Sequence, residues 1–153
     1  MKVDLGLTDE ILTYNVNTGE SSLTDVSSLD ISGIREFNDS GSFCGFHDIA
    51  KGKNRGRYGF VFDGVFQSLD GMTFSNHVNN SGDVAGAEAS QPVLYHPNHG
   101  FLLVNDLVVA ASDEEMAIWD DSYRNHIASI TERNDTGFPV LAGSLQRTNS
   151  PVL

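Results

Sequence analysis

The chain has a single cysteine, Cys44, a single tryptophan, Trp119, and nine lysines and arginines against 21 aspartates and glutamates. One thiol excludes a disulfide framework within the chain, and in an apolar run it reads as inert core rather than as a nucleophile. The formal charge of -12 repels phosphate backbones and anionic lipid, so nucleic acid and membrane surfaces lose their usual electrostatic attraction. No stretch approaches the apolar length of a membrane span, and "MKVDLGLTDE" carries Asp4 and Gly6 where a signal peptide would be apolar. No compartment follows from this. G-x-S-x-G, Walker A and Rossmann fingerprints are also missing. A Ser-His-Asp site assembled from distant segments leaves no spacing to read.

What the chain has is repetition. "REFNDSGSFCG", "NHVNNSGDVAG" and "TERNDTGFPVLAG" each give a β-prone run, then Asn-x-Ser/Thr-Gly, then an apolar run closing on glycine. The three turns are Asn38 to Gly41 with Gly45, Asn79 to Gly82 with Gly86, and Asn134 to Gly137 with Gly143. Asn bonds its own backbone in tight turns and Gly supplies a positive φ before the returning strand, so each phrase predicts a hairpin. The same asparagines match a glycosylation acceptor, but turn chemistry accounts for them.

A second unit alternates with the first. "ILTYNVNTGESSLTDV", "YGFVFDGVFQSLDGM" and "PVLYHPNHGFLLVNDLV" each predict an apolar-aromatic strand, a turn ending at Gly19, Gly64 or Gly100, and another strand. Two units make four short strands, and Asn38 and Asn79 are 41 residues apart, the period of one propeller blade. The reading is one all-β domain over residues 1–153, a propeller-like array of about three four-stranded antiparallel repeats at 11–50, 58–90 and 91–145. Asn79 and Asn134 are 55 apart, so about fourteen residues are inserted, in "AASDEEMAIWDDSYRN". Its Ser112-x-x-Glu115 resembles a capping box and predicts one short helical insertion.

These phrases resemble a known family. "GFVFDGVFQSLDGM", "VNNSGDVAG" and "VLYHPNHGFLLVNDLVVAAS" look like the HAF-type repeats of bacterial extracellular proteins, over roughly residues 11 to 153. The resemblance implies β-propeller blades and brings no catalytic residues with it.

Three blades are fewer than the four a closed ring typically needs. "SPVL", Ser150 to Leu153, repeats the start of the third unit, and "KVDLGL", Lys2 to Leu7, resembles the second strand of a unit. Residues 1–7 and 147–153 are therefore expected to contribute strands to a closing blade, within one chain or between the chains of a homodimer, which is the favoured arrangement.

Several clusters are candidates for chemistry. His96 and His99 in "HPNHG" and Cys44-x-x-His47 are only pairs, and the acidic "SDEE" and "DDSY" lack a calcium-loop spacing, so no metal and no cofactor is expected. "KGKNRGRYG" gathers Lys51, Lys53, Arg55 and Arg57, four of the nine basic residues, in one glycine-spaced loop. Either it is a flexible connector or it docks an anion or a partner. Trp119 either packs the insertion down or, with Tyr123, lines a binding surface. The expected function is a non-catalytic binding module for a glycan, peptide or protein. A hydrolase or lyase with His and Asp in a central channel is the rival, and a unit whose role is homo-oligomeric assembly is a third reading.

Overall fold

Turn chemistry decides the local structure. The three motif turns share one geometry: the asparagine carbonyl accepts from the glycine N–H, at 3.2 Å for Asn38 and Gly41, 3.1 Å for Asn79 and Gly82, and 2.9 Å for Asn134 and Gly137. Those glycines stand at φ 85°, 80° and 83°, the left-handed region that a side chain disfavours. The computed structural model describes residues 10–50, 52–89, 91–107 and 122–147. Within them the chain is all-β apart from one helical turn.

The strands are β1 (Glu10–Tyr14), β2 (Ser21–Asp25), β3 (Ile31–Phe37), β4 (Phe43–Ile49), β5 (Gly56–Phe62) and β6 (Phe66–Leu69) in the first half. In the second come β7 (Phe74–Val78), β8 (Val84–Glu88), β9 (Gln91–His96), β10 (Gly100–Leu103), the turn α1 (Val104–Leu107), β11 (Ser122–Arg133) and β12 (Pro139–Arg147). All pairings are antiparallel: a β1-β2 ribbon, a β3-β4-β5-β6 sheet, a β10-β9-β8-β7 sheet and a β11-β12 ribbon.

This corrects the expected repeat frame. Four-stranded repeats at 11–50, 58–90 and 91–145 would join β1-β2 to β3-β4. Instead β4 lies between β3 and β5, with Phe43 opposite both Phe37 and Phe62, and the sheets run two, four, four and two strands. The physical reason is burial: β4 is buried over Phe43 to Gly45 and β8 over Val84 to Gly86, as interior strands are. No closed ring forms among the described residues. The helical turn observed, Val104–Leu107, precedes the one predicted near Ser112, which lies outside the described residues, as do residues 1–7 and the end beyond Arg147. Part of the extra length in the last repeat sits in its hairpin, whose register shifts three times.

The sheets pack face to face in chain order. Ile11 and Val26 of the first layer bury against Phe43 and Phe60 of the second. Cys44, Val61 and Leu69 meet Val78, Val84 and Val93 of the third, and Ala85 and Leu94 meet Ile127 of the last.

Candidate functional site

The repeated asparagines do more than close turns. Asn38 Nδ2 donates to the Asn79 carbonyl at 2.9 Å, and Asn79 Nδ2 donates to the Thr131 carbonyl at 2.9 Å, so each turn is tied to the next layer. Meanwhile Oδ1 serves its own turn, accepting from Ser42 N at 2.8 Å in the first repeat and Asp83 N at 2.9 Å in the second. With Asn79 4% exposed and its amide nitrogen engaged, the structural role accounts for the motif there.

Beside Asn79 lies a buried polar cluster that the sequence reading missed. Asp83 is fully buried and takes two bonds from the Arg133 guanidinium, Nη2 to Oδ1 at 2.7 Å and Nε to Oδ2 at 2.9 Å. Asn79 Nδ2 donates to the same carboxylate at 2.9 Å, and the hydrogen bonds from Arg133 to Asp83 hold the guanidinium above its usual range. His96, also buried, accepts from Asn98 N through Nδ1 at 3.1 Å, which puts its proton on Nε2, 3.4 Å from the Gly137 carbonyl. His96 and exposed His99 pack with Phe138, their rings 4.6 Å apart. A carboxylate committed to a guanidinium and an amide serves as a joint between layers rather than as a base. Among the described residues no three His, Cys, Asp or Glu groups converge as metal ligands.

A histidine on β4, a serine on β6 and the aspartate just after β6 also meet. Ser68 Oγ donates to Asp70 Oδ1 at 2.7 Å and lies 2.9 Å from His47 Nε2. A nucleophile needs the histidine between serine and acid, taking the serine proton. Here serine stands in the middle and gives its proton to the acid, so the trio orients His47 instead. Cys44 is equally committed: burial pushes its thiol well above the ordinary range, reinforced by the charge of Glu36.

His47 carries a prediction. Burial holds its imidazole below the ordinary value of 6.5, with Asp70, Asp30 and Asp48 pulling part of the way back. The folded imidazole stays neutral while the unfolded one takes a proton, so its contribution is complete above about pH 6.5 and is lost as pH falls through the folded value. The melting temperature should therefore drop between pH 7.5 and 5.5, and His47→Gln should flatten that slope. An unchanged slope in the variant would remove His47 as its source.

The basic loop leads to a concave surface between the second and third layers. Lys53 and Arg55 are exposed in the turn before β5. Arg57 crosses from β5 to Asp48 on β4, with Nε to Oδ1 at 2.8 Å and Nη2 to Oδ2 at 3.1 Å, bonds that hold the Asp48 carboxyl below its usual range. Its guanidinium lies over the rings of Phe46, 4.6 Å to the centroid, and Phe74, at 5.4 Å. A shallow concavity of about 520 Å³ is lined by Asp48, Arg55, Arg57, Thr73 and Phe74 among others. Arg55 and Arg57 are thus brought together, whereas Lys51 and Trp119 lie outside the described residues. Tyr123 falls in β11 at a register shift, and its side chain is outside the description.

Sequence reasoning missed Phe46, Asp48 and Phe74 because they come from two sheets. It missed Asp83 and Arg133 although the repeats carry a signal. Arg133 stands directly before the turn asparagine, where the other repeats have Phe37 and Val78, and Asp83 stands where they have Ser42 and Phe138. No family model matches the chain, and no curated protein or solved structure matches it.

Proposed function

We propose that this protein is a non-catalytic binding module of the HAF-repeat type, which holds an anionic group of a glycan, peptide or protein partner in the concavity beside β5. The observation that carries this reading is the convergence of Arg55 and Arg57 with Phe74 on one concave surface of an otherwise acidic chain. Asp48 and the two phenylalanine rings fix the plane of the Arg57 guanidinium before any ligand arrives, which lowers the entropic cost of using its remaining donors. Arg55, which lines the concavity, and Lys53, exposed in the turn before β5, have no ion-pair partner among the described residues, so their charge is available to a ligand. The titratable clusters elsewhere are satisfied internally, which supports recognition over chemistry.

The test is calorimetric titration with a glutamate-rich peptide and a lysine-rich peptide of equal length, alongside carboxylated and neutral oligosaccharides. Binding should be confined to the anionic ligands and weaken with salt. Arg55→Ala removes a charge-assisted hydrogen bond worth about 1.5–3 kcal/mol, a loss in affinity of about tenfold or more. Equal binding of both peptides, or undiminished affinity in a Lys53→Ala/Arg55→Ala variant, would overturn the reading.

A further inference from the structure

The two outer layers are halves of the same object. In the complete sheets the motif hairpin is always extended by an aromatic hairpin: β4 pairs with β5, setting Gly45 opposite Phe60, and β8 pairs with β9, setting Gly86 opposite Val93. Among the described residues the β11-β12 ribbon is a motif hairpin without that extension, and the β1-β2 ribbon is an aromatic hairpin without a motif hairpin. The correspondence between β1-β2 and β9-β10 is close. "LTYNVNTG" runs parallel to "VLYHPNHG", Gly19 and Gly100 both stand at φ 74°, and Asn17 N bonds the Asn15 side chain as Asn98 N bonds His96.

That alignment puts Leu12 where Phe60 and Val93 stand. Those two are 0% and 1% exposed, because each lies against the preceding layer, whereas Leu12 is 57% exposed and Tyr14 58%. On the opposite side of the stack, β12 leaves an edge with no strand beside it among the described residues. An apolar ribbon face and a long open strand edge are both features that proteins cover. Within one chain the two ribbons cannot meet directly, since both four-stranded sheets are packed between them in chain order.

We infer that the β1-β2 ribbon of a second copy of this chain adds to the β12 edge, completing a four-stranded sheet in the order β11-β12-β1-β2 with the last two strands from the partner. The repeat registers fix the pairing: Gly143 opposite the partner's Leu12, Ala142 opposite the partner's Thr13, and Leu141 opposite the partner's Tyr14. The added ribbon brings the partner's Leu12 onto the face of the third layer that holds Leu94 and Leu102. The asparagine ladder is open in the same direction. Asn134 Nδ2 has no partner among the described residues, and there the Asn38 carbonyl accepts only from Gly41 N, leaving a lone pair for the next rung. Reciprocal exchange between two copies yields six four-stranded sheets, within the four to eight of typical propellers, whereas one chain closing on itself would have three.

Two measurements test this on the full chain. Light scattering should give twice the 16.6 kDa chain mass, and Leu12→Asp should return the single mass with an unchanged far-ultraviolet circular dichroism spectrum. Thr13→Cys and Ala142→Cys variants, purified separately and mixed under oxidising conditions, should form a disulfide-linked pair that neither forms alone, since directly opposed strand residues have Cβ atoms about 4.5–5.5 Å apart. Buried Cys44 should not compete. A single-chain mass at all concentrations would overturn the inference. So would a dimer in which the mixed variants do not cross-link, or a Thr13→Cys/Ala142→Cys double variant that cross-links only within its own chain.

Discussion

Asp83→Asn is expected to remove a large share of the stability of this protein while leaving the shape of its side chain nearly unchanged. The native carboxylate is wholly buried and accepts from both arms of Arg133 and from the Asn79 amide. An asparagine offers one acceptor in place of two and turns an NH2 group toward donors. Removing one partner of a buried pair costs about 3–5 kcal/mol, and the low end applies because the Arg133 side chain is a quarter exposed and recovers some hydration. Domains of this size have about 5–15 kcal/mol in total, so a single oxygen-to-nitrogen exchange should lower the denaturation midpoint clearly. The repeats supply the control. At the first junction the corresponding positions hold Ser42 and Val78, neither of which carries a charge. Asp83→Ser combined with Arg133→Val should therefore recover most of the loss. Equilibrium urea unfolding of the three proteins decides the matter. If the double variant is no more stable than Asp83→Asn, the pair is not what the cluster contributes.

The hairpins were legible in the sequence because a turn is decided within four or five residues. Asn38 to Gly41, Asn79 to Gly82 and Asn134 to Gly137 carry their own hydrogen bonds, and no distant contact was needed to foresee them. The phase of the repeat was not legible from its period, since a 41-residue spacing is the same wherever the count begins. The apolar continuity of "FCGF" and "VAGA" was the available clue that β4 and β8 are interior strands, with β3 and β5 or β7 and β9 on either side. Charge clustering located the loop that reaches the concavity through Arg55 and Arg57. The residues that orient it, Asp48 and the rings of Phe46 and Phe74, converge only after β7 packs across β4 and β5, and one-dimensional spacing holds no trace of that contact.

The motif's closing glycine should prove less replaceable than its turn glycine, although only the turn glycine has an unusual backbone. Gly45 and Gly86 each pair with the residue just before a register shift in the neighbouring strand, Ile34 and Ser75. That bulge turns a carbonyl toward the glycine: a Cβ on Gly86 would lie 2.0 Å from the Phe74 oxygen and 3.0 Å from the Ser75 Cα, and one on Gly45 would lie 2.0 Å from the Gly33 oxygen. These are main-chain atoms of the strand paired with the glycine, and the Ser75 hydroxyl holds β7 against the second layer by accepting from Gly45 N at 3.2 Å and Phe60 N at 3.0 Å. Relief would require moving β7 away from the layer it packs on, so Gly86→Ala should cost more than about 3 kcal/mol, beyond ordinary overpacking. Gly41→Ala meets nothing within 4 Å and pays only for its φ of 85°, about 1–2 kcal/mol. Thermal melts of the two variants should therefore separate widely, with Gly86→Ala the lower. Similar melting temperatures would mean that the bulge can relax, and that the close approach at the closing glycine does not hold the hairpin in place.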